Sequence, residues 1–398
     1  MRRFVAFLLF WAAVLLVCRV AAAEPPQGQS AAEAGPFRYP EATHGKGELK
    51  YREGLPVLMV EGSPKEIGQQ IGVLGVRPAA RVIKFPRDML KDRGAELLYP
   101  VLYYVGKSMH PRFPAHHKTE LAAMAESSGC KLEELIVINT IDNISRIFGC
   151  SSIAVEAERS RTDGPLLGRN FDFPTLGYLQ DYTLVTVYRP EGKHAFASIG
   201  FPGLLAVLSG INDAGLSLVT HAMFSSADGA PSFSPKGTPV GLVLRRILEE
   251  CETVEEAEKL LRECKRTTYL TIVVCDKRRA VAIEITPKSV CVRPAERGML
   301  FTTNHFRSDE LKTSTGCWRY RYLLQVRNRE ELGIDDITRL LHGVNQGSLT
   351  MHTMKFEPKR LKMRLGYGKL PSSAQPLVAL ELGPLFADGN TPQTSTTR

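Results

Sequence analysis

A glycine and a cysteine at positions 149 and 150, followed by Arg169-Asn170-Phe171-Asp172, set three complementary kinds of side chain into the single stretch FGCSSIAVEAERSRTDGPLLGRNFDF. A thiol is a poor nucleophile until its pKa falls or a base takes its proton. Arg169 would supply a permanent positive charge, Asp172 would orient the base, and Gly149 removes the side chain that would hinder attack on its own carbonyl. The spacing supports this grouping. Ser152, Ala154 and Glu156 alternate with Ser151, Ile153, Val155 and Ala157, the period of a half-buried strand. Thr162-Asp163-Gly164-Pro165 reverses the chain, and Leu166 to Phe171 returns as the partner strand, bringing Arg169 and Asp172 back beside Cys150. The competing reading is a small buried cysteine near an ordinary ion pair.

The Gly-Cys pair and the GRNFD phrase after the hairpin resemble the fingerprint of cysteine N-terminal-nucleophile hydrolases. The closest likeness is to the acyl-coenzyme A:6-aminopenicillanic acid acyltransferase-like family of cysteine peptidases, with choloylglycine hydrolases and acid ceramidase as more distant relatives. It runs from about Leu55 to about Leu370. The resemblance implies self-cleavage between Gly149 and Cys150, a new chain whose α-amine takes the thiol proton, and no cofactor or metal. It implies an amidohydrolase or acyltransferase working through an acyl-Cys150 intermediate on a small acyl amide, peptide or thioester. Asn304, in FTTNHF, is the implied oxyanion donor. A second family asparagine would follow the GxxxAGL phrase, where this chain has His221, so His221 or a backbone N–H takes that place. Arg319 in WRYRYL resembles the family's late arginine, with Arg321 as its rival, and Asn170 is read as turn support. Two other readings stand beside this one: a choloylglycine- or ceramide-type N-acyl amide hydrolase, and a non-catalytic extracellular binding domain that keeps the fold.

The start of the chain bears on compartment. Two arginines, an uncharged run from Phe4 to Cys18 and the small residues Ala21 to Ala23 have the layout of a secretory signal peptide over residues 1–23. An uncleaved anchor is the alternative, because Arg19 sits in the cleavage region. Export would make the membrane a partner only in transit. Without that segment, 48 basic against 42 acidic residues leave +6, and no basic stripe interleaved with aromatics argues for nucleic acid. Seven cysteines then remain, an odd number that leaves at least one without an intramolecular partner. Cys251, Cys264 and Cys275 read as buried thiols or as bridges. No zinc spacing is present, and His116 with His117 reads as a surface feature.

Residues 24–50, rich in Pro, Gly, Ala and charge, read as a flexible linker. Residues 51–149 read as a helical pro-segment, the small chain after cleavage, which stays associated with the large one. It begins with a strand at Leu55 to Val60 and a helix signalled by Ser63, Pro64 and Glu66, in which Gly68 and Gly72 admit a close backbone. Helices follow at 118–128 and 131–141. Residues 150–388 read as the hydrolase domain, and 389–398 as a disordered tail. Past the hairpin, strands are expected at 182–188, 194–199, 204–209 and from Leu216. Two amphipathic helices then begin at Thr238-Pro239 and Thr253, four more strands run between 269 and 303, helices lie at 318–326 and 334–341, and a hairpin spans 351–365. The expected architecture is α+β, a four-layer αββα sandwich of N-terminal-nucleophile type.

Overall fold

Ahead of Cys150 the described residues include the strands β1 (Ala42–His44), β2 (Gly47–Arg52) and β3 (Leu55–Gly62) and the helices Pro64–Ile71, Phe85–Asp92, Tyr99–Met109, Ala115–Ser128 and Leu132–Ile138. The computed structural model describes residues 36–143, 149–313 and 316–387. The expected signal peptide, residues 24–35 of the linker and the tail from 389 lie outside them. Residues 42–50 do not behave as a tether. Leu49 is fully buried and pairs with Leu58, so this stretch completes the edge of a sheet. Tyr39, also buried, donates from its hydroxyl to Tyr182 O at 2.8 Å and ties the start of the segment to the same sheet.

The Pro64–Ile71 helix starts with the expected capping box, Ser63 with Glu66. A Cβ on Gly68 would strike the Glu120 carbonyl, so this glycine lets the helix lie directly on Ala115–Ser128.

After Cys150 come the hairpin β4 (Gly149–Val155) and β5 (Leu166–Asp172), then β6 (Leu184–Pro190), β7 (Phe196–Gly200), β8 (Ser209–Asn212) and β9 (Ser217–Ala222). The helices Val240–Glu250 and Val254–Glu263 follow, then β10 (Leu270–Cys275), β11 (Ala280–Ile285), β12 (Val290–Pro294) and β13 (Met299–Thr302). The helices Trp318–Leu324 and Ile334–Gly343, β14 (Thr350–Glu357), β15 (Lys362–Gly366) and β16 (Val378–Glu381) complete the sheets. β8 is displaced from its expected place, and β1, β2, β16 and the helices Phe85–Asp92 and Tyr99–Met109 were not expected. The Leu204 to Leu208 run is a loop, because the buried Asn139 side chain claims its backbone, accepting from Leu205 and Ala206 N–H at 2.7 and 3.0 Å and donating to Gly203 O at 2.7 Å.

The strands form two sheets. One runs β1-β2-β3-β6-β7-β8-β9-β10-β11-β12 and the other β13-β4-β5-β14-β15-β16. Because β3 pairs with β6 in parallel, the segment before Cys150 is built into the larger sheet. Alternation along β4 and β5 sorts the residues by face. Cys150, Ala154, Leu167 and Phe171 join the core between the sheets, whereas Ile153, Val155 and Leu166 pack beneath the helices 318–324 and 334–343. The helices 240–250 and 254–263 cover the other sheet, giving the αββα order.

Candidate active site

Register places the hairpin residues. Cys150 pairs with Phe171, Ser152 with Arg169 and Gly149 with Asp172. Cross-strand partners share a face, so the Cys150 thiol and the Arg169 guanidinium meet between the sheets, with Arg169 Nη2 at 3.2 Å from Sγ. The guanidinium is itself held by the facing sheet. Nη1 donates to Leu208 O at 2.8 Å and to the Ser209 hydroxyl, and Nη2 donates to Thr220 O at 2.7 Å. Burial raises the Cys150 thiol pKa, against the pull of Arg169. The thiol is therefore protonated at neutral pH.

The backbone of Cys150 is gripped from the other side. Its N–H donates to Asn304 Oδ1 at 2.8 Å, and its carbonyl accepts from Arg319 Nη1 at 2.8 Å. Arg319 Nη2 also donates to Asn304 Oδ1 at 2.9 Å, while Asn304 Nδ2 donates to Ala222 O at 2.9 Å. Two donors on one atom fix which end of the amide is oxygen. Asn304 thus presents its carbonyl to the Cys150 nitrogen, and one hydrogen of Nδ2 is already used. Of the rival arginines it is Arg319 that reaches the site; Arg321 is exposed on the same helix.

Asp172 stands one residue beyond Phe171 and so on the opposite face from the thiol. Its carboxylate accepts from Thr350 Oγ1 and Gln346 Nε2, both at 2.6 Å, and lies 3.7 Å from Arg319 Nη1. Burial raises its pKa against these partners. It lies beside the arginine that holds the Cys150 carbonyl and does not touch the sulfur. A Cβ on Gly149 would collide with Gln346 Nε2, a physical requirement for glycine there beyond access to its carbonyl. Gln346 and Thr350 were not anticipated from sequence, because they arrive from the turn after a helix distant in the chain and belong to no local pattern.

Two support candidates part company. Asn170 is mid-strand and faces the helix layer, donating to Leu341 O at 2.6 Å and accepting from Thr353 at 2.9 Å, so it is neither turn support nor near the thiol. His221, on β9, is fully buried between the sheets, and neither ring nitrogen has a hydrogen-bond partner among the described residues. Burial first, and then Arg169, push its pKa well down, so the ring is neutral and offers one N–H and one lone pair.

His116 and His117 do not form a surface pair. His117 is fully buried, and both Nε2 atoms approach Glu249, at 3.0 Å from His116 and at 3.2 Å from His117. Among the described residues this trio has metal-like spacing, with ligand atoms within 4.8 Å of one another. Glu249 also accepts from Arg245 Nε at 2.8 Å and Lys193 Nζ at 3.0 Å, so four nitrogen donors occupy the lone pairs a cation would need. All seven cysteines among the described residues are free thiols.

Residues 159–331 match the family model described as acyl-coenzyme A:6-aminopenicillanic acid acyl-transferase, a span that begins just past Cys150 and includes Arg169, Asp172, His221, Asn304 and Arg319. The 40 kDa form of acyl-coenzyme A:6-aminopenicillanic-acid-acyltransferase from Emericella nidulans is 25% identical over 255 residues, 62% of this chain and 68% of that protein. Acid ceramidase from Rattus norvegicus is 27% identical over 173 residues, 39% of this chain and 43% of the ceramidase. Among solved structures, a Caenorhabditis elegans N-acylethanolamine-hydrolyzing acid amidase ortholog aligns at TM-score 0.43 and 20% identity, covering 52% of this chain and 93% of its own. A single-residue variant of conjugated bile acid hydrolase from Clostridium perfringens aligns at TM-score 0.44 and 15% identity, covering 60% of this chain and 95% of its own.

Proposed function

We propose that this chain, a homologue of the acyl-coenzyme A:6-aminopenicillanic acid acyltransferases, is an exported, self-processing cysteine amidohydrolase or acyltransferase that handles the acyl group of a small amide, peptide or thioester. One observation carries the reading. The Cys150 nitrogen is held by Asn304 Oδ1, its carbonyl by Arg319 and its sulfur by Arg169, so every polar atom of one residue has a dedicated partner. A merely structural cysteine has no use for this. The layout of residues 1–23 supports export.

In the proposed sequence Sγ attacks the Gly149 carbonyl carbon, the acyl group passes from nitrogen to sulfur, and water resolves the thioester. The products are a Gly149 carboxylate and a free Cys150 amine. Asn304 Oδ1 keeps an N–H of that amine, which leaves the nitrogen lone pair free to accept the thiol proton. An α-amine has a reference pKa near ~7.7–8.0, and the neighbouring Arg169 and Arg319 guanidiniums disfavour its charged form. Nucleophile and base then belong to one residue. A substrate carbonyl next acylates Sγ, the amine proton goes to the leaving group, and water or an acceptor amine removes the acyl group. For the oxyanion, the neutral His221 ring is the candidate donor, and losing such a donor typically costs about 3–4 kcal/mol in the transition state.

Mass spectrometry of the purified protein tests the first step. Two chains are expected, one starting at Cys150, with one intact chain for Cys150→Ala. Release of amine from a panel of N-acyl amides tests the second, and activity that survives Cys150→Ala would sink the assignment.

A further inference from the structure

β13 is the last strand of the smaller sheet, and its outer side borders a cleft of about 540 Å³, a size suited to a small molecule. One wall comes from β12, β13 and the turn between them, with Arg293, Arg297 and Met299. The other is the helix Trp318–Leu324 and the turn after it, where Tyr320, Leu324 and Arg327 follow at spacings of four and three and so share a face. Met299 pairs with Val155, at the far end of β4 from Cys150, so the cleft is separate from the thiol site.

Three residues of the lining are arginines and one, Glu296, is acidic. Arg293 is largely buried and firmly placed. Its Nη2 donates to Phe301 O at 3.1 Å and Thr302 Oγ1 at 3.3 Å, covering the open edge of β13, and its Nε lies 3.5 Å from Glu284 Oε1. Glu284 also accepts from the N–H groups of Arg307 and Ser308. No bond forms to Arg293 Nη1 among the described residues. Arg297 and Arg327 are exposed, and neither side chain has an acidic partner among the described residues. This differs from the nearby surface, where Arg161, Arg329 and Arg339 all converge on Asp336, at 3.1, 3.3 and 2.6 Å. Like charges facing one another across a concave wall repel, and the wall focuses their field. An anion between them offsets that cost.

We propose that this cleft binds a small organic phosphate, with the phosphate monoester among the three guanidiniums and an apolar body against Met299 and Leu324. Guanidinium forks match phosphate oxygens two at a time. A phosphate dianion has acceptors for three arginines, whereas a lone carboxylate has only two oxygens to share. The binding does not depend on the chemistry proposed for Cys150.

Calorimetry on the full chain with hexyl phosphate, hexanoate and inorganic phosphate tests the proposal. Hexyl phosphate is expected to bind with a stoichiometry of one, and about tenfold or more tighter than inorganic phosphate, because the methylenes leave water. It should also exceed hexanoate. Replacing both Arg297→Ala and Arg327→Ala should weaken it by about tenfold or more, since each charge-assisted bond is a strong one. Arg329→Ala removes a charge of the same sign outside the lining and should change the affinity by less than about twofold, because exposed distant charges are screened. Melting curves check that each variant folds. No saturable binding of hexyl phosphate, equal affinity in the double variant, or an equal loss in Arg329→Ala would overturn the inference. Inorganic phosphate binding as tightly as hexyl phosphate would reduce the cleft to a contact for an adventitious ion only, and hexanoate binding as tightly would remove the phosphate.

Discussion

Two buried clusters of charge lie in this molecule, and they differ in closure. The first joins the segment before Cys150 to the helix Val240–Glu250. Arg245 makes a two-pronged contact with Glu120 at 2.8 and 2.6 Å, donates to Glu249 at 2.8 Å, and lies over the Tyr188 ring at 4.6 Å. Glu249 adds His116, His117 and Lys193. Apart from His117 Nδ1, its donors and acceptors are matched among the described residues, so the cluster holds two parts of the chain together. The second surrounds Cys150. There the backbone of Cys150 is fixed, yet its thiol carries a proton it can lose, and neither ring nitrogen of His221 makes a well-aligned hydrogen bond among the described residues. Saturation makes the first cluster a clamp, and incomplete saturation leaves the second open to the chemistry proposed for it.

The sharpest way to break this contrast is one substitution in each. Cys150→Ala should abolish chain cleavage and amide turnover while leaving the melting temperature within a few degrees. Arg245→Ala should do the reverse, costing about 3–5 kcal/mol because Glu120 and Glu249 are left buried without their cation. Chemical denaturation and mass spectrometry read both. Similar stability losses from the two would mean that the Cys150 region is also structural.

Next in size is Gly149→Ala. Its methyl would strike Gln346 Nε2, and a displacement of that order costs about a hundredfold in rate. Adding Gln346→Ala should restore part of the cleavage by making room, whereas a slow double mutant would mean that the glycine is needed only for access to its carbonyl.

The clusters should also answer pH differently. The buried thiol has a raised pKa, so its thiolate fraction, and with it cleavage, should climb roughly tenfold per pH unit through neutrality. His117 is held down to about 3, by burial and then by Arg245, against the pull of Glu249. Below the unfolded value near 6.5 the unfolded chain takes a proton that the native ring refuses, so stability falls on acidification, by about 2 kcal/mol between pH 6.5 and 5. His117→Gln should flatten that part of the curve. An unchanged slope in this variant would place the titration elsewhere.

The smallest expected effect sharpens the role of burial. Arg246 also meets a glutamate one turn away, Glu250, at 2.7 Å, but both side chains are about a third exposed. Arg246→Ala should cost only about 0.3–0.5 kcal/mol, against the large loss for its neighbour Arg245. A comparable loss would mean that charge alone, without burial, sets the strength of the clamp.

Much of the site was legible beforehand where the pattern is local. A period of two, a Thr-Asp-Gly-Pro reversal and a second run of matching length fix the register of β4 on β5, and that register alone brings Arg169 to Cys150. The capping box at Ser63 and the close-packing Gly68 follow from the same short-range rules. Asn304 and Arg319 were found only through resemblance to a family, since nothing near them in sequence marks them as neighbours of a thiol. Gln346, Thr350, the clamp around Glu249 and the loop held by Asn139 escaped notice. Each depends on two segments far apart in the chain meeting in the folded core. Asn170 was read as turn support, but it lies mid-strand and bonds to the helix layer, a placement only the packed sheet decides.

What the chain of residues determined by itself is therefore the hairpin, its polarity and the chemistry available in it, because strand period and turn composition act over a few residues. Tertiary structure alone decided that Asn304 turns its oxygen to the Cys150 nitrogen and that Asp172 lies beside Arg319 on the face away from the thiol. Hydrogen-bond accounting is settled only when distant segments pack and water leaves. Until then every polar atom in the sequence has a partner in solvent.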